Sequence, residues 1–301
     1  MKVEINPAVR MRILNIDDLN RHVNLARGSK FNYEMLFCGH GNSYFIGIST
    51  IRVDMNKYSY DPCAYEKRYR KVYEEGAEFW EEPLPTESLV KFLHDFYLTK
   101  GLRAVDMGCG EGRDSIFLAK RGFNVTAIDV SRSAVKRAKK WSKREGLPIE
   151  FLVADVTHLP IRNDTYDLAI NVACLHMMIN QQLRDRHLRE AHRISKHNGV
   201  YFSCNIGADE PISVNEFYKK IGRKPGNLIP RKIKAKGKEK EVYLPIIAAW
   251  PKSKEQYLKE FQKAGFNILK AYKEKTKPVG NCWIIIAKKC SQDISKAAYS
   301  F

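Results

Sequence analysis

From about residue 100 the chain alternates short apolar runs with segments in which apolar residues recur every three or four positions. The runs RAVDM (103–107), NVTAID (124–129), EFLVA (150–154), YDLAINVA (166–173) and VYFSCNI (200–206) read as strands buried on both faces. Between them lie helical patterns. Ser131 opens one in which Ala134, Ala138 and Trp141 share a stripe while Lys136, Arg137, Lys139, Lys140 and Lys143 take the wet side. Ser253 and Gln256 stand at capping-box spacing ahead of Tyr257, Phe261 and Ala264, and Gly265 suits the helix end. FNILKAY (266–272) and NCWIIIAKK (281–289) then predict two final strands. Such a series predicts an α/β fold, a doubly wound, Rossmann-like, mostly parallel seven-stranded sheet.

The flanks of this series differ from it. FNYEMLFC and SYFIGISTIRV, separated by the turn Gly39–Asn42, predict a hairpin within a small N-terminal β-rich module over 1–57. The α/β domain then spans 58–290 and a tail 291–301. Tyr65, Tyr69, Val72 and Tyr73 fall on one face of a helix, and Thr86 suits the cap of a second whose apolar face is Leu89, Leu93, Phe96 and Tyr97. An insertion at about 208–245 interrupts the alternation. Its heart, 218–241, has ten Lys or Arg against two Glu and is broken by Gly222, Pro225, Gly226, Pro230 and Gly237, which predicts a long basic loop.

Composition narrows the class. In 301 residues there are 52 Lys and Arg against 34 Asp and Glu, a formal charge of +18, with 44% hydrophobic residues. That is enough apolar material for a packed interior, so disorder of the whole chain is excluded. The longest apolar runs, IIAAW and WIIIA, are far below the ~18 residues that span a bilayer. Seven scattered cysteines without a CxxC pair argue against a disulfide framework or zinc finger and predict a cytoplasmic protein.

The most informative stretch is VDMGCGEGRDS, residues 105–115. A strand ends at Met107, three glycines follow at alternate positions, and a helix begins near Arg113. Such a turn lies at the carboxyl edge of the first strand of a doubly wound sheet, where glycine lets backbone approach a ligand. Arg113 occupies the place of the third glycine of a dinucleotide fingerprint, which argues against a nicotinamide oxidoreductase. Asp129 ends the next strand, 21 residues after Gly108, where a carboxylate accepts hydrogen bonds from both ribose hydroxyls of a nucleoside. Asp155 ends the third strand. Three acidic groups at one sheet edge suit a cationic ligand better than phosphates.

VDMGCGEGRDSIFLAKRGFNVTAIDVS, VADVTHLP and YDLAINVACLHMM together resemble the class I S-adenosylmethionine-dependent methyltransferases, over about three quarters of the chain. GCGEGRDSIFLA is most similar to the tellurite-resistance and thiol methyltransferases, and FWEEPLPTESLVKFL resembles their N-terminal lid. The resemblance implies that Asp106, Gly108 and Gly110 border the methionine moiety of S-adenosylmethionine, that Asp129 holds its ribose, and that Asp155 and Val156 contact its adenine. It places Cys109, Val130 and Asn171 along the same cofactor. It is nearly silent on the acceptor.

Methyl transfer from a sulfonium needs alignment and exclusion of water more than a particular catalytic residue. His176, after the fourth strand, is the candidate base, with packing at the pocket wall as its other reading. Tyr65 and Tyr69, with Tyr73, would close over the sulfonium through their ring faces, or serve as core. Cys109 is assigned no reactivity, and the five-residue spacing of His187, His192 and His197 predicts no metal site. The basic insertion reads as a solvated loop, as a dock for an acidic macromolecule (RNA or protein), or as a gate for substrate. These readings favour a small-molecule acceptor with a soft nucleophile, ahead of a protein or RNA acceptor and of a noncatalytic cofactor-binding scaffold. No membrane partner is expected.

Overall fold

The structure, a computed structural model, describes residues 36–40, 43–47 and 61–290 apart from 81, 82, 97, 99 and 236. The chain divides into two compact units, Met1–Asn56 and Lys57–Phe301. In the first, β1 (Leu36–His40) and β2 (Ser43–Gly47) pair antiparallel from Leu36 opposite Gly47 to His40 opposite Ser43. Gly39 and His40 therefore belong to a strand and not to the expected turn; the rest of the expected module lies outside the described residues.

The second unit is built on one seven-stranded sheet. Its strands are β3 (Arg103–Met107), β4 (Asn124–Asp129), β5 (Glu150–Val153), β6 (Tyr166–Val172), β7 (Ser195–Ile206), β10 (Phe266–Thr276) and β11 (Gly280–Lys289). They lie side by side as β10-β11-β7-β6-β3-β4-β5. The five strands from β7 to β5 are parallel, and β11 runs antiparallel to both of its neighbours. This is the doubly wound arrangement that the apolar runs predict. The order reverses direction after β3, so loops leaving β3 and β6 diverge and leave a crevice between them.

Two apolar cores cover the sheet. On one side α5 (Gln181–Ile194) and α7 (Lys254–Lys263) bring Leu188, Ala191, Ile194, Tyr257 and Phe261 onto Val105, Ala169 and Tyr201. On the other, α2 (Glu87–Asp95) and α3 (Arg113–Lys120) set Leu89, Phe92 and Leu118 against Ala104, Leu168 and Phe202. The helix starts follow their caps. The Ser131 hydroxyl accepts from Ala134 N at 3.1 Å to open α4 (Arg132–Arg144), and Ser253 with Gln256 closes a reciprocal capping box. Thr86 precedes α2 without capping it; its N–H and hydroxyl both donate to Asp114, at 2.7 and 2.9 Å.

Two elements differ from the sequence reading. Strand β7 starts at Ser195, five residues early, because Ser195 already pairs with Tyr166; the polar run Lys196–Gly199 then bulges out of the ladder, with Asn198 in left-handed conformation (φ 62°), before pairing resumes at Val200 opposite Leu168. The basic insertion is not a loop. It folds into α6 (Val214–Ile221), opened by a Ser213–Glu216 capping box, and an antiparallel hairpin of β8 (Leu228–Ala235) and β9 (Lys238–Pro245). One face of that hairpin is apolar enough to pack: Ile233, Val242 and Leu244 join Val72 and Ala77 in a third core with α1 (Pro62–Glu74). Ala77 also bridges Ala235, and Lys240 pairs with Glu75. Lysines at the intervening positions hide this two-residue alternation from a reading of composition.

Candidate active site

The turn after β3 needs its glycines twice over. Gly108 (φ 91°) and Gly110 (φ 52°) take left-handed conformations that L side chains rarely adopt. A Cβ on Gly108 would lie 2.7 Å from the Cys174 side chain, and one on Gly110 would lie 2.8 Å from the Tyr69 hydroxyl. The turn is tied to β4, where Gly108 N and Cys109 N both donate to Ile128 O at 2.8 Å. Gly110 N donates to Asp129 Oδ2 and Ser131 N to Asp129 Oδ1, each at 2.8 Å, so the strand-end carboxylate is held rigidly beside the glycines. Burial pushes the Asp129 carboxyl above its ordinary range against the pull of these N–H groups.

Asp106 sits beneath the same turn, buried, with Oδ2 accepting from the Ser115 hydroxyl at 2.6 Å. Burial, with the nearby charge of Asp114, raises its pKa to about 7, the Ser115 hydrogen bond only partly offsetting this. Cys109 is buried with its Sγ on Gly110 O, and burial pushes its thiol well up, as it does that of Cys174. Neither thiol ionises near neutral pH.

A cavity of about 600 Å³ opens over this edge of the sheet. Of the residues expected at the site, Tyr65, Tyr69, Asp106, Gly108, Cys109, Gly110, Asp129, Val130, Val156 and His176 line it. Asp155 and Asn171 do not. Asp155 caps its own turn, accepting from Thr157 N at 2.8 Å. Asn171 is fully buried below the wall, one link in a polar chain that fixes two histidines.

The chain can be followed atom by atom. The backbone N–H of His176 donates to Asn205 Oδ1 at 3.1 Å, which orients that amide so that its Nδ2 donates to Asn171 Oδ1 at 2.8 Å. Asn171 Nδ2 then faces His187 Nε2 at 2.8 Å, and that nitrogen is the unprotonated one. His176 Nδ1 lies 3.1 Å from Asn205 Oδ1, a contact that a proton on Nδ1 would complete, and the Ile206 N–H donates to the same nitrogen at 3.4 Å, a bond that needs it unprotonated. Burial lowers the pKa of His176 to about 4, so its imidazole is neutral at physiological pH. It is a hydrogen-bond acceptor rather than a strong base.

Helix α1 forms the opposite wall. Tyr65 reaches Met177 O at 3.5 Å, while Tyr69 stacks on Tyr73 with ring centroids 6.1 Å apart. Two carboxylates that the sequence reading missed anchor this helix. Glu66 accepts from Ser131 Oγ, Ser133 N and Ser133 Oγ at 2.8, 3.0 and 2.6 Å, directly beside Asp129. Glu111, within the glycine turn, accepts from the Tyr73 hydroxyl and Trp80 N, both at 2.7 Å. The glycine motif contains Glu111 and so offered a signal for it; nothing local marks Glu66. The insertion supplies further wall through Ile229, Arg231 and Ile233 of β8 and through Ile246, Ile247 and Ala249.

Residues 104–199 match the model of the methyltransferase domain family. With the glycine turn, the Asp129 strand end and the sheet order already described, that match makes residues 104–199 a methyltransferase domain. The fold around it is that of the class I S-adenosylmethionine-dependent methyltransferases. Its curated relatives include a malonyl-[acyl-carrier protein] O-methyltransferase of Hamiltonella defensa, 30% identical over 123 residues, 40% of this chain and 44% of the relative. They also include a ribosomal protein L11 methyltransferase of Dictyoglomus thermophilum, 28% identical over 144 residues, 47% of this chain and 44% of the relative. The chain thus spans under half the length of these relatives. Among solved structures, the Burkholderia thailandensis 1,6-didemethyltoxoflavin-N1-methyltransferase with bound S-adenosylhomocysteine shares the fold at TM-score 0.52 and 16% identity, covering 78% of this chain and 92% of its own. The [4+2]-cyclase SpnF matches at TM-score 0.55 and 18% identity, over 77% of this chain and 98% of its own. The comparisons support the class I family and do not single out the tellurite-resistance or thiol subgroup.

S-adenosylmethionine is the cofactor of this family, and the residues present fit it: side-chain-free backbone at Gly108 and Gly110, a fixed carboxylate at Asp129, and buried Asp106 for positive charge. Among the described residues there is no group of three His, Cys, Asp or Glu side chains able to hold a metal, and no helix long and apolar enough to cross a membrane.

Proposed function

We propose that this protein transfers the methyl group of S-adenosylmethionine to a small, largely apolar molecule. The observation that carries the reading is the placement of the insertion: β8 and residues 246–249 form a wall of the cofactor cavity, where Ile229, Ile246, Ile247 and Ala249 surround a space of small-molecule size.

When bound, S-adenosylmethionine supplies a methyl group already activated by its sulfonium. The chain's own residues bind, orient and exclude water. Asp129 accepts from the ribose, Asp106 offers negative charge to the methionine end, and Tyr65, Tyr69 and Met177 shield the space next to His176 from solvent. His176, a neutral imidazole in the cavity wall, would accept a hydrogen bond from a protonated nucleophile. Because its conjugate acid has a pKa of about 4, the preferred acceptor atom is one already bearing an available lone pair at neutral pH.

The test is incubation of the purified protein with methyl-labelled S-adenosylmethionine and clarified lysate, followed by separation by size. Label in the low-mass pool supports the reading. Label retained on protein or RNA overturns it in favour of a macromolecular acceptor, for which the exposed lysines of the hairpin are the supporting feature.

A further inference from the structure

The inner face of the β8–β9 hairpin carries an exception to its own pattern. Residues directly opposite in an antiparallel pair share a face, so Ile229, Arg231 and Ile233 stand with Leu244, Val242 and Lys240. Ile233, Val242 and Leu244 are buried in the core with α1. Lys240 stands at the rim of this face and pairs with Glu75. Arg231 stands between two isoleucines, opposite a buried valine, and lines the cavity.

The other cations that line the cavity are engaged. Arg68 lies over the Trp80 ring, 4.1 Å from its centroid. Arg113 Nε is 3.6 Å from Asp114 Oδ2. Lys232, on the outer face of the hairpin, reaches Glu239 at 3.1 Å. Among the described residues Arg231 makes no hydrogen bond, ion pair or ring contact.

Its surroundings define what it would meet. The acids of the cavity, Asp106, Glu111, Asp114 and Asp129, belong to the sheet edge, where the cofactor's positive charge fits. Arg231 comes from the opposite wall. Next to it the lining is Ile229 and Ile233, and Tyr65, Met177, Ile246 and Ile247 are shared with a second cavity of about 300 Å³, whose walls add Ala64 and Ala248 and, among charged residues, Asp61 and Lys67. Arg231 is itself exposed, so its guanidinium stands at the solvent-facing rim of this wall, where its fork matches an oxyanion in bidentate geometry.

We propose that Arg231 recognises the acceptor, and that the acceptor is a small molecule with an apolar body and an oxyanion group, a carboxylate, phosphate or sulfate. This rests on the reading of the protein as a small-molecule methyltransferase. The apolar body occupies the space between Tyr65, Met177 and residues 246–248, and the oxyanion meets the hairpin. Arg231 acts by holding the acceptor, not by moving a proton.

The experiment separates a low-mass metabolite extract on an anion exchanger into retained and unretained pools and offers each, with methyl-tritiated S-adenosylmethionine, to the wild-type protein, Arg231→Gln and Arg231→Lys. The expected result is label from the retained pool alone. Arg231→Gln then raises the apparent KM for that pool about 10-fold or more, Arg231→Lys recovers part of it, and calorimetric affinity for S-adenosylhomocysteine stays within about 2-fold in both variants, which shows the fold intact. Label arising from the unretained pool, or an Arg231→Gln variant equal to wild type on the retained pool, overturns the proposal while leaving methyl transfer standing. No label from either pool, with S-adenosylhomocysteine bound, overturns the small-molecule reading itself and this proposal with it.

Discussion

Arg184 and Glu260 form a bidentate ion pair in the interior, Nε to Oε1 at 2.8 Å and Nη2 to Oε2 at 2.7 Å, with the arginine wholly shielded from solvent. The pair joins α5 to α7, and its free donor turns toward the site: Arg184 Nη1 donates to Leu175 O at 2.7 Å and Met178 O at 3.3 Å. Those carbonyls bracket the turn that carries His176 and Met177. Lys252 shares the carboxylate at 2.9 Å and lies over Trp250, fixing the strand of chain that reaches the cavity at Ala249.

Removing the carboxylate leaves two buried cations without their counter-charge. Breaking a buried pair from one side costs about 3–5 kcal/mol. Glu260→Gln is therefore expected to lower unfolding stability by that amount in urea titrations and to reduce turnover by loosening the His176 turn. A loss below ~1 kcal/mol would show that the cluster is solvated in practice.

Gly110 makes a sharper test of the cofactor cradle. Alanine there meets both a left-handed backbone, costing about 1–2 kcal/mol, and the Tyr69 hydroxyl at 2.8 Å. Gly110→Ala should weaken S-adenosylhomocysteine binding about 10- to 100-fold in calorimetry. Tyr69→Phe removes the clashing oxygen, the next ring atom being 3.9 Å away, so the double variant should regain part of the loss. No recovery would mean that the backbone term is the whole effect.

Asp106 predicts the pH dependence of cofactor binding. Its carboxyl, pushed up to about 7 by burial and by Asp114, is half protonated at neutral pH, whereas a bound cation favours the ionised form. Binding should release a proton and tighten as pH rises to about 7, by at most about tenfold per unit below it, then level off. Calorimetry in buffers of different ionisation enthalpy measures the proton directly. Asp106→Asn should bind with little dependence on pH over the same range, and an unchanged profile would place the titrating group elsewhere.

Much of this was legible in the sequence because the signals are local. A glycine turn between an apolar strand and a helix, and a carboxylate at the next strand end, specify this edge of the sheet whatever surrounds them, and Asp129, Gly108 and Gly110 line the cavity there. What lies across the cavity depends on distant parts of the chain. Glu66 reaches Ser131 and Ser133 across 65 and 67 residues, and the hairpin that carries Arg231 packs on Val72 through an alternation masked by lysine. Asn171 is near the site in sequence terms but turned inward, since an amide at the end of a buried strand had Asn205 and His187 to satisfy it.

The two histidines of that polar chain weaken the fold as the pH falls. Burial holds His176 at about 4 and His187 at about 3, against 6.5 for an unhindered imidazole. Their folded pKa values are depressed, so the unfolded chain binds more protons below pH 6.5 and each histidine removes about 1.4 kcal/mol of stability per pH unit as the pH falls toward its folded value. Asp106 acts in the opposite sense: its folded pKa is raised from 3.8, so the folded chain binds the extra proton and gains stability as pH falls from about 7 toward 4. Asp129, also raised by burial, acts in the same sense as Asp106, so together they offset part of the histidine contributions. In urea unfolding at pH 6.5, 5.5 and 4.5, wild type should lose about 1.4 kcal/mol per unit more than His187→Gln, whose glutamine takes up no proton on unfolding. Parallel slopes would show that His187 is already protonated in the fold, which Asn171 Nδ2 at 2.8 Å forbids.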